Sequence, residues 1–142
     1  MTNVEHEVGN VGEFDTDRRF DRVVSIEMLE HARNYEHTSR NIRRWLAPGG
    51  RCFVHVFSHR RFAYTFDGDE WVGRYFFTGG TMPAHDLFGE FDADLRMVED
   101  WHLDGTHYAR TLETWLERLD SVRESVWPVL VETYGDADAR RW

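Results

Sequence analysis

Acidic and imidazole side chains follow two apolar segments of the sequence, at the points where those segments end. Glu27, Glu30 and His31 come directly after the β-branched run RVVSI. His55 lies near the end of the run CFVHVF, and His59 lies just beyond it. Carboxylates and imidazoles that share a site can act as general bases, because burial and neighbouring charges move each pKa toward neutrality. These residue types at these positions therefore indicate proton-transfer chemistry.

The same residues also have structural explanations. Glu27 and Glu30 could simply place negative charge near the N-terminus of a helix. His55, within an apolar run, could be a hydrogen-bonded core histidine. A metal site made of Glu30, His55 and His59, as in a metal-dependent hydrolase, is disfavoured because no HExxH or similar spacing is present. We therefore expect no metal.

A βαβ unit is predicted to position these side chains. Residues 22–26 and 52–57 are continuous apolar runs, which are typical of strands buried on both faces. Between them lies the apolar stripe of a helix, which consists of Thr38, Ile42, Trp45 and Leu46. The Pro-Gly-Gly sequence at 48–50 ends this helix. Strand, helix and strand in this order predict a parallel pair, and ligands bind beyond the carboxyl ends of such strands.

The remaining segments predict two more strands and further helices. Residues 4–8 and 95–103 show the alternation of strands. The aromatic segment 62–91 predicts a short helix, a tight turn at its glycines and a second short helix, and its rings could fill a core or line an apolar pocket. An amphipathic helix begins near Tyr108, and Pro128 either kinks that helix or starts another.

Length, charge and cysteine content exclude several classes of protein. The chain has 142 residues, enough for one domain of ordinary size. The net charge of −9 argues against a nucleic-acid partner. No apolar run could cross a membrane and no export signal is visible, so we expect a cytoplasmic location. The single cysteine excludes an intrachain disulfide framework and a cysteine-rich zinc site.

Four segments carry further motifs, in order, over nearly the whole chain: FDRVVSIEMLEHARNYE, WLAPGGRCFVHVFSHRRFAYTF, WVGRYFFTGGTMP and VEDWHLDGTHYARTLETWLERLD. Together they resemble the cyclopropane-fatty-acyl-phospholipid synthase family of class I S-adenosylmethionine-dependent methyltransferases. The combination of SIEM-x-EH, HVF-x-HR and FFTGGTMP resembles the branch that includes coclaurine-type N-methyltransferases. Most cyclopropane synthases have glycine where this chain has Glu27.

The resemblance implies S-adenosylmethionine as the methyl donor. Cofactor contacts would correspond to Asn10, Val11 and Ile26. Asn10 stands where many class I methyltransferases have an aspartate near the adenine, and its side-chain carbonyl can accept a hydrogen bond from the adenine amino group.

The resemblance also implies catalytic roles. In cyclopropane synthases a bicarbonate ion serves as the base, and its ligands would correspond to Glu30, His55 and Tyr108. In the N-methyltransferase branch, Glu27, Glu30 and His31 would face the acceptor amine. These five residues are the catalytic candidates.

The fold that the resemblance implies is α/β, a partial Rossmann-like sheet. The class I methyltransferase sheet has the strand order 3-2-1-4-5-7-6. Residues 4–8, 22–26, 52–57 and 95–103 would be strands 3, 4, 5 and 6, with strands 1, 2 and 7 absent. We therefore expect residues 1–142 to be the C-terminal portion of one methyltransferase domain, truncated at both ends.

The expected function is transfer of a methyl or methylene group to an unsaturated lipid acyl chain or a small amine. A lipid substrate would require transient contact with a membrane but no stable insertion. As a fragment, the chain is expected to bind the cofactor weakly and to have impaired activity. The alternative is a non-catalytic remnant, or half of a split enzyme that binds a complementary N-terminal fragment.

Overall fold

The computed structural model describes residues 3–142 of the chain and has an α/β architecture. The chain divides into two compact units, Met1–Val98 and Glu99–Trp142. The first unit holds the four strands found among the described residues, and the second is helical. All candidate site residues except Tyr108 belong to the first unit.

A parallel pair of strands joined by a helix forms the centre of the first unit. Strand β1 (Phe20–Ile26) pairs in parallel with strand β2 (Leu46–His55), and helix α1 (Tyr35–Trp45) connects them. The pairing confirms the predicted βαβ unit. Ile26 lies opposite His55 in the register, so both strands end at the same edge of the sheet.

Helix α1 begins at a side-chain cap and buries one face. The side-chain oxygen of Asn34 accepts a hydrogen bond from the backbone N–H of His37 at 2.9 Å. Thr38, Ile42 and Trp45 are buried, as their helical spacing predicts. This face packs the helix against the β1–β2 pair.

The Pro-Gly-Gly sequence lies inside β2 rather than at the end of α1. The helix already ends at Trp45, and Leu46, predicted in the helix, is the first residue of β2. The register with β1 shifts after Phe20, opposite this sequence. A Cβ atom at Gly50 would lie 2.9 Å from the carbonyl oxygen of Ala47 and 3.0 Å from that of Phe20. Glycine therefore permits the close approach of β1 at this irregularity.

The predicted strands at residues 4–8 and 95–103 are wrong. Both segments are irregular in the structure. A strand needs a hydrogen-bonded neighbour, and no segment within residues 3–142 pairs with either of them. Val4 and Val8 are exposed instead, and Leu95 packs against the core beside α1.

The prediction that β1 and β2 are buried on both faces is also wrong. Val24 and Ile26, on one face of β1, are exposed, and so is Phe53, which lies opposite Val24 on β2; only Ser25 of β1 is buried. Nothing among the described residues covers the exposed face. Parallel strands of globular proteins are normally covered on both sides.

The aromatic segment forms a short antiparallel pair with helical turns around it. Strands β3 (Tyr64–Thr65) and β4 (Thr81–Met82) pair with each other. The loop that connects them contains a π-helical turn at Val72–Phe76. Gly79 has a φ of +73°, as a tight turn requires. A 3₁₀ turn follows at Leu87–Glu90. The helical turns and the glycine turn were predicted, but the strand pairing was not.

The second unit contains two helices, α2 (Thr106–Ser121) and α3 (Arg123–Tyr134). A second helix is present, as one of the two predicted alternatives had it. Its first residue lies five positions before Pro128, so the proline is inside α3 and not at its start. The apolar face of α2 is exposed, including Leu112 and Trp115. No helix of the described residues is long and apolar enough to cross a membrane.

Candidate active site

The ends of β1 and β2 bring Glu27 and His55 together. The backbone N–H of Glu27 donates to the carbonyl oxygen of His55 at 3.0 Å. The side chains also meet, with His55 Nδ1 2.8 Å from Glu27 Oε1. The His55 side chain is 48% exposed, so it is not a core histidine. The two strand ends therefore place a carboxylate and an imidazole at one point, as predicted.

Glu27 adopts a left-handed backbone conformation, with a φ of +49°. It is the one non-glycine residue with positive φ in the described part of the chain. This conformation costs about 1–2 kcal/mol for a residue with a Cβ atom. The two contacts with His55 hold it in place. A glycine at this position would adopt such a φ without strain.

Glu30 is a buried carboxyl group, with only 1% of the residue exposed. It lies on the 3₁₀ turn Leu29–His31, which packs into a small apolar core with Ala32 and Tyr35. Its Oε2 atom has no hydrogen-bond partner. Burial raises the pKa of Glu30, and the nearby charge of Glu27 raises it further. Glu30 is thus not a solvated charge at a helix N-terminus.

Tyr35, the first residue of α1, is a polar member of this core that sequence reasoning missed. The residue is 7% exposed, and its hydroxyl has no hydrogen-bond partner. Burial raises the pKa of Tyr35, the charge of Glu30 adds to the rise, and the Thr81 side chain opposes it. The available signal was its place at the end of the segment FDRVVSIEMLEHARNYE, five positions after Glu30.

The segment after Glu30 is attached to the turn that precedes β4. The exposed imidazole of His31 stacks on the ring of Phe77, with centroids 5.2 Å apart. Arg33 Nε donates a hydrogen bond to the carbonyl oxygen of Gly79 at 2.8 Å. His31 is therefore held at the surface, next to the buried Glu30 in the chain.

His59 has a structural role. Its Nδ1 atom accepts hydrogen bonds from the backbone N–H groups of Arg61 and Phe62, at 3.1 and 2.9 Å. Its backbone bonds to Pro83 and His85. The described residues hold no group of three or more His, Cys, Asp or Glu side chains arranged to bind a metal.

The predicted cofactor contacts lie in an irregular segment and at the end of β1. The side-chain oxygen of Asn10 accepts the backbone N–H of Gly12 at 2.9 Å, which leaves its second lone pair for an adenine amino group. Val11 is half-buried, and Ile26 is exposed beside Glu27. The chemistry of these residues fits a nucleoside, and their joint role as its binding site stays a prediction.

Tyr108 lies near the start of α2, in the second unit, and its side chain is exposed. The predicted convergence of Tyr108 with Glu30 and His55 stays a prediction. Within the first unit, the site offers two acids with different surroundings. One is solvated and paired with an imidazole, and the other is buried with an unpartnered oxygen. Such a pair can separate charge stabilisation from proton transfer.

The chain matches the family model of mycolic acid cyclopropane synthetase over residues 2–141. It is 36% identical over 140 residues to an (S)-coclaurine N-methyltransferase of Thalictrum flavum subsp. glaucum, covering 95% of this chain and 39% of that protein. It is 29% identical over 124 residues to the cyclopropane-fatty-acyl-phospholipid synthase of Escherichia coli K12, covering 86% and 31%.

A solved structure is also similar. The crystal structure of coclaurine N-methyltransferase bound to N-methylheliamine and SAH superposes with a TM-score of 0.85 at 32% sequence identity. The match covers 94% of this chain and 40% of the other. The chain thus spans between 31% and 40% of the length of these relatives.

Proposed function

Since the chain belongs to the mycolic acid cyclopropane synthetase family, we propose that it carries the acceptor side of an S-adenosylmethionine-dependent methyltransferase site. The observation that carries this proposal is the placement of Glu27, His55 and the buried Glu30 at the ends of two parallel strands. Relatives of both kinds, N-methyltransferase and cyclopropane synthase, support it.

Glu30 is the proton acceptor in this proposal. S-adenosylmethionine, when bound near Asn10, Val11 and Ile26, supplies an electrophilic methyl group and leaves as a thioether. The protein must align the acceptor nitrogen and take away its proton. The raised pKa of Glu30 suits that task, because a buried carboxylate holds a proton more tightly than a solvated one.

Glu27 favours a small amine over a lipid alkene as the acceptor. Its carboxylate engages His55 Nδ1 and places negative charge beside Glu30. Negative charge attracts a protonated amine and repels a bicarbonate ion, so the residues present fit bicarbonate poorly. We therefore propose a small amine as the substrate class, with an unsaturated acyl chain as the alternative.

Product analysis with a radiolabelled methyl donor tests this function, on a protein in which the chain is joined to the portion of the Thalictrum relative that it does not cover. We expect label from S-adenosylmethionine in a small secondary amine, and none in vesicles of unsaturated phospholipid. Glu30→Gln should lower the turnover by roughly 10²–10⁴-fold with little change in donor affinity, as expected for a lost base. Glu36→Gln, on the exposed face of α1, is the matched control. Equal turnover of Glu30→Gln and the unaltered chain would contradict the role of Glu30.

A second candidate function is the binding of a polypeptide that covers the exposed face of the β1–β2 pair. It is favoured by the exposure of Val24 and Ile26 on that face, since parallel strands are normally covered on both faces. The proposed partner is the portion of a methyltransferase that this chain does not cover in its relatives.

Size-exclusion chromatography with that portion of the Thalictrum relative measures this binding. We expect a complex with the unaltered chain and none with Val24→Glu, which places a charge on the exposed face of the sheet. Val4→Glu, at an exposed valine outside the sheet, should leave the complex intact. Loss of the complex in both variants, or in neither, would count against a specific sheet interface.

A further inference from the structure

Among the described residues, two of the buried side-chain atoms without a hydrogen-bond partner belong to the small core around Glu30. They are Oε2 of Glu30 and the hydroxyl oxygen of Tyr35, in residues that are 1% and 7% exposed. Buried polar atoms are nearly always paired with protein or with an ordered water molecule. Two orphan atoms in the same small core therefore require an explanation.

The ring of Tyr35 is fixed by its packing. It meets Phe88 edge-on with centroids 5.1 Å apart, and Phe91 lies at 5.5 Å. Leu29, next to Glu30 in the chain, belongs to the same buried cluster. The hydroxyl position is therefore set by apolar contacts and not by a hydrogen bond of its own.

The two groups are electrostatic neighbours with complementary roles. The charge of Glu30 adds to the effect of burial in raising the pKa of Tyr35, so the hydroxyl stays protonated and remains a donor. An ionised carboxylate is an acceptor only. The buried pair thus consists of one donor, with the Thr81 side chain nearby, and one acceptor, and neither atom makes a hydrogen bond in the structure.

Further charged groups act on Glu30 from the elements around it. Glu27, at the end of β1, raises its pKa, whereas His31 on the same 3₁₀ turn and His55 at the end of β2 lower it. Thr81 of β4 acts on Tyr35. Tyr35 is the neutral hydrogen-bond donor that α1 contributes.

We propose that Tyr35 is a positioning residue, whose hydroxyl donates a hydrogen bond to the Glu30 carboxylate through one water molecule and thereby sets its protonation state. This inference deepens the proposed function, on which its meaning for methyl transfer rests. A donor held by rigid packing orients the carboxylate and stabilises its ionised form. Glu30 then remains able to accept a proton despite its burial.

Carbon-13 NMR of the full chain, labelled at the glutamate side-chain carboxyl carbons, tests the proposal without any assay of activity. The Glu30 signal is identified by its loss in Glu30→Gln. We expect Tyr35→Phe to raise the titration midpoint of Glu30 by about one pH unit, because the donor is removed. Tyr64→Phe, at a 47% exposed tyrosine of the same unit, should leave the midpoint unchanged. An unchanged midpoint in folded Tyr35→Phe would overturn the proposal.

A second measurement covers the case in which Tyr35→Phe does not fold. Incorporation of 3-fluorotyrosine at position 35 keeps the ring and makes the hydroxyl a stronger donor, so the midpoint of Glu30 should fall. A midpoint that stays or rises would overturn the proposal. Because titration and turnover are measured separately, a failure of Glu30→Gln to affect methyl transfer would refute the proposed function and leave the pairing with Tyr35 intact.

Discussion

Glu27 and Glu30 are separated by three positions, yet the structure gives them opposite surroundings. The Glu27 side chain is 39% exposed, and its Oε1 atom lies 2.8 Å from His55 Nδ1. Glu30 is buried with one oxygen unpartnered, in an apolar core beside Tyr35. The backbone strain also differs, because of the two residues only Glu27 has a left-handed backbone conformation.

This difference separates two tasks that carboxylates perform. A half-exposed carboxylate beside an imidazole can hold a cation. A buried acid binds a proton more readily, and burial raises the pKa of Glu30 accordingly. Pairs of acids whose environments push their proton affinities apart are typical of acid–base sites. The burial of Glu30, the backbone strain at Glu27 and the pairing of Glu27 with His55 can each be tested separately.

The largest expected effect is a pH-dependent cost of burying Glu30. Because its pKa is raised in the folded protein, the folded state binds more protons than the unfolded state above pH 4.5. The contribution of Glu30 to the free energy of unfolding is therefore most favourable at low pH. It becomes less favourable as the pH rises from 4.5 through the pKa of Glu30 in the folded protein. We expect stability to fall over this range, because ionising the carboxyl group in the folded core costs more than ionising it in water. Urea unfolding between pH 4 and 8 measures it.

Glu30→Gln should abolish this part of the pH dependence, because glutamine does not titrate. Glu36→Gln, which removes an exposed acid of α1, should keep it. If Glu30→Gln and the unaltered chain lose the same stability over this pH range, the buried acid is not its source.

A smaller effect is expected from the strain at Glu27. Glu27→Gly and Glu27→Ala both remove the carboxylate, but only glycine adopts a φ of +49° without strain. Glu27→Gly should therefore be more stable than Glu27→Ala by about 1–2 kcal/mol in the free energy of unfolding. Equal stability of the two variants would mean that the backbone relaxes out of the left-handed region.

The smallest effect concerns the exposed pair. A double-mutant cycle with Glu27→Gln and His55→Asn should give a coupling of about 0.2–1 kcal/mol, since exposed ion pairs contribute little. The coupling should fall as salt is added, because exposed charges are screened by ions in solution. A coupling that does not change with salt would contradict an electrostatic origin.

The sequence predicted the parts of the fold that depend on local pattern. The apolar run before Glu27 and the stripe at Ile42 and Trp45 were enough for the parallel pair and its helix. The strands at residues 4–8 and 95–103 failed because alternation does not supply a hydrogen-bonded neighbour.

The site was predictable to a similar extent. The rule that ligand-binding residues follow parallel strands located Glu27 and His55 together. Spacing could not tell which of the two acids is buried, because that depends on rings from distant segments, such as Phe88 and Phe91. Tyr35 was missed for the same reason, since an unpartnered hydroxyl exists only in the packed protein.

The attachment of the site segment to the turn before β4 has a dynamic consequence. The stack of His31 on Phe77 and the bond from Arg33 to Gly79 join two stretches that lie 46 positions apart. Neither stretch can move away from the core unless both contacts break or the two stretches move together. Amide hydrogens on the two sides should therefore exchange with solvent in a single cooperative opening, so that access to the buried acid is governed by a loop far away in the chain.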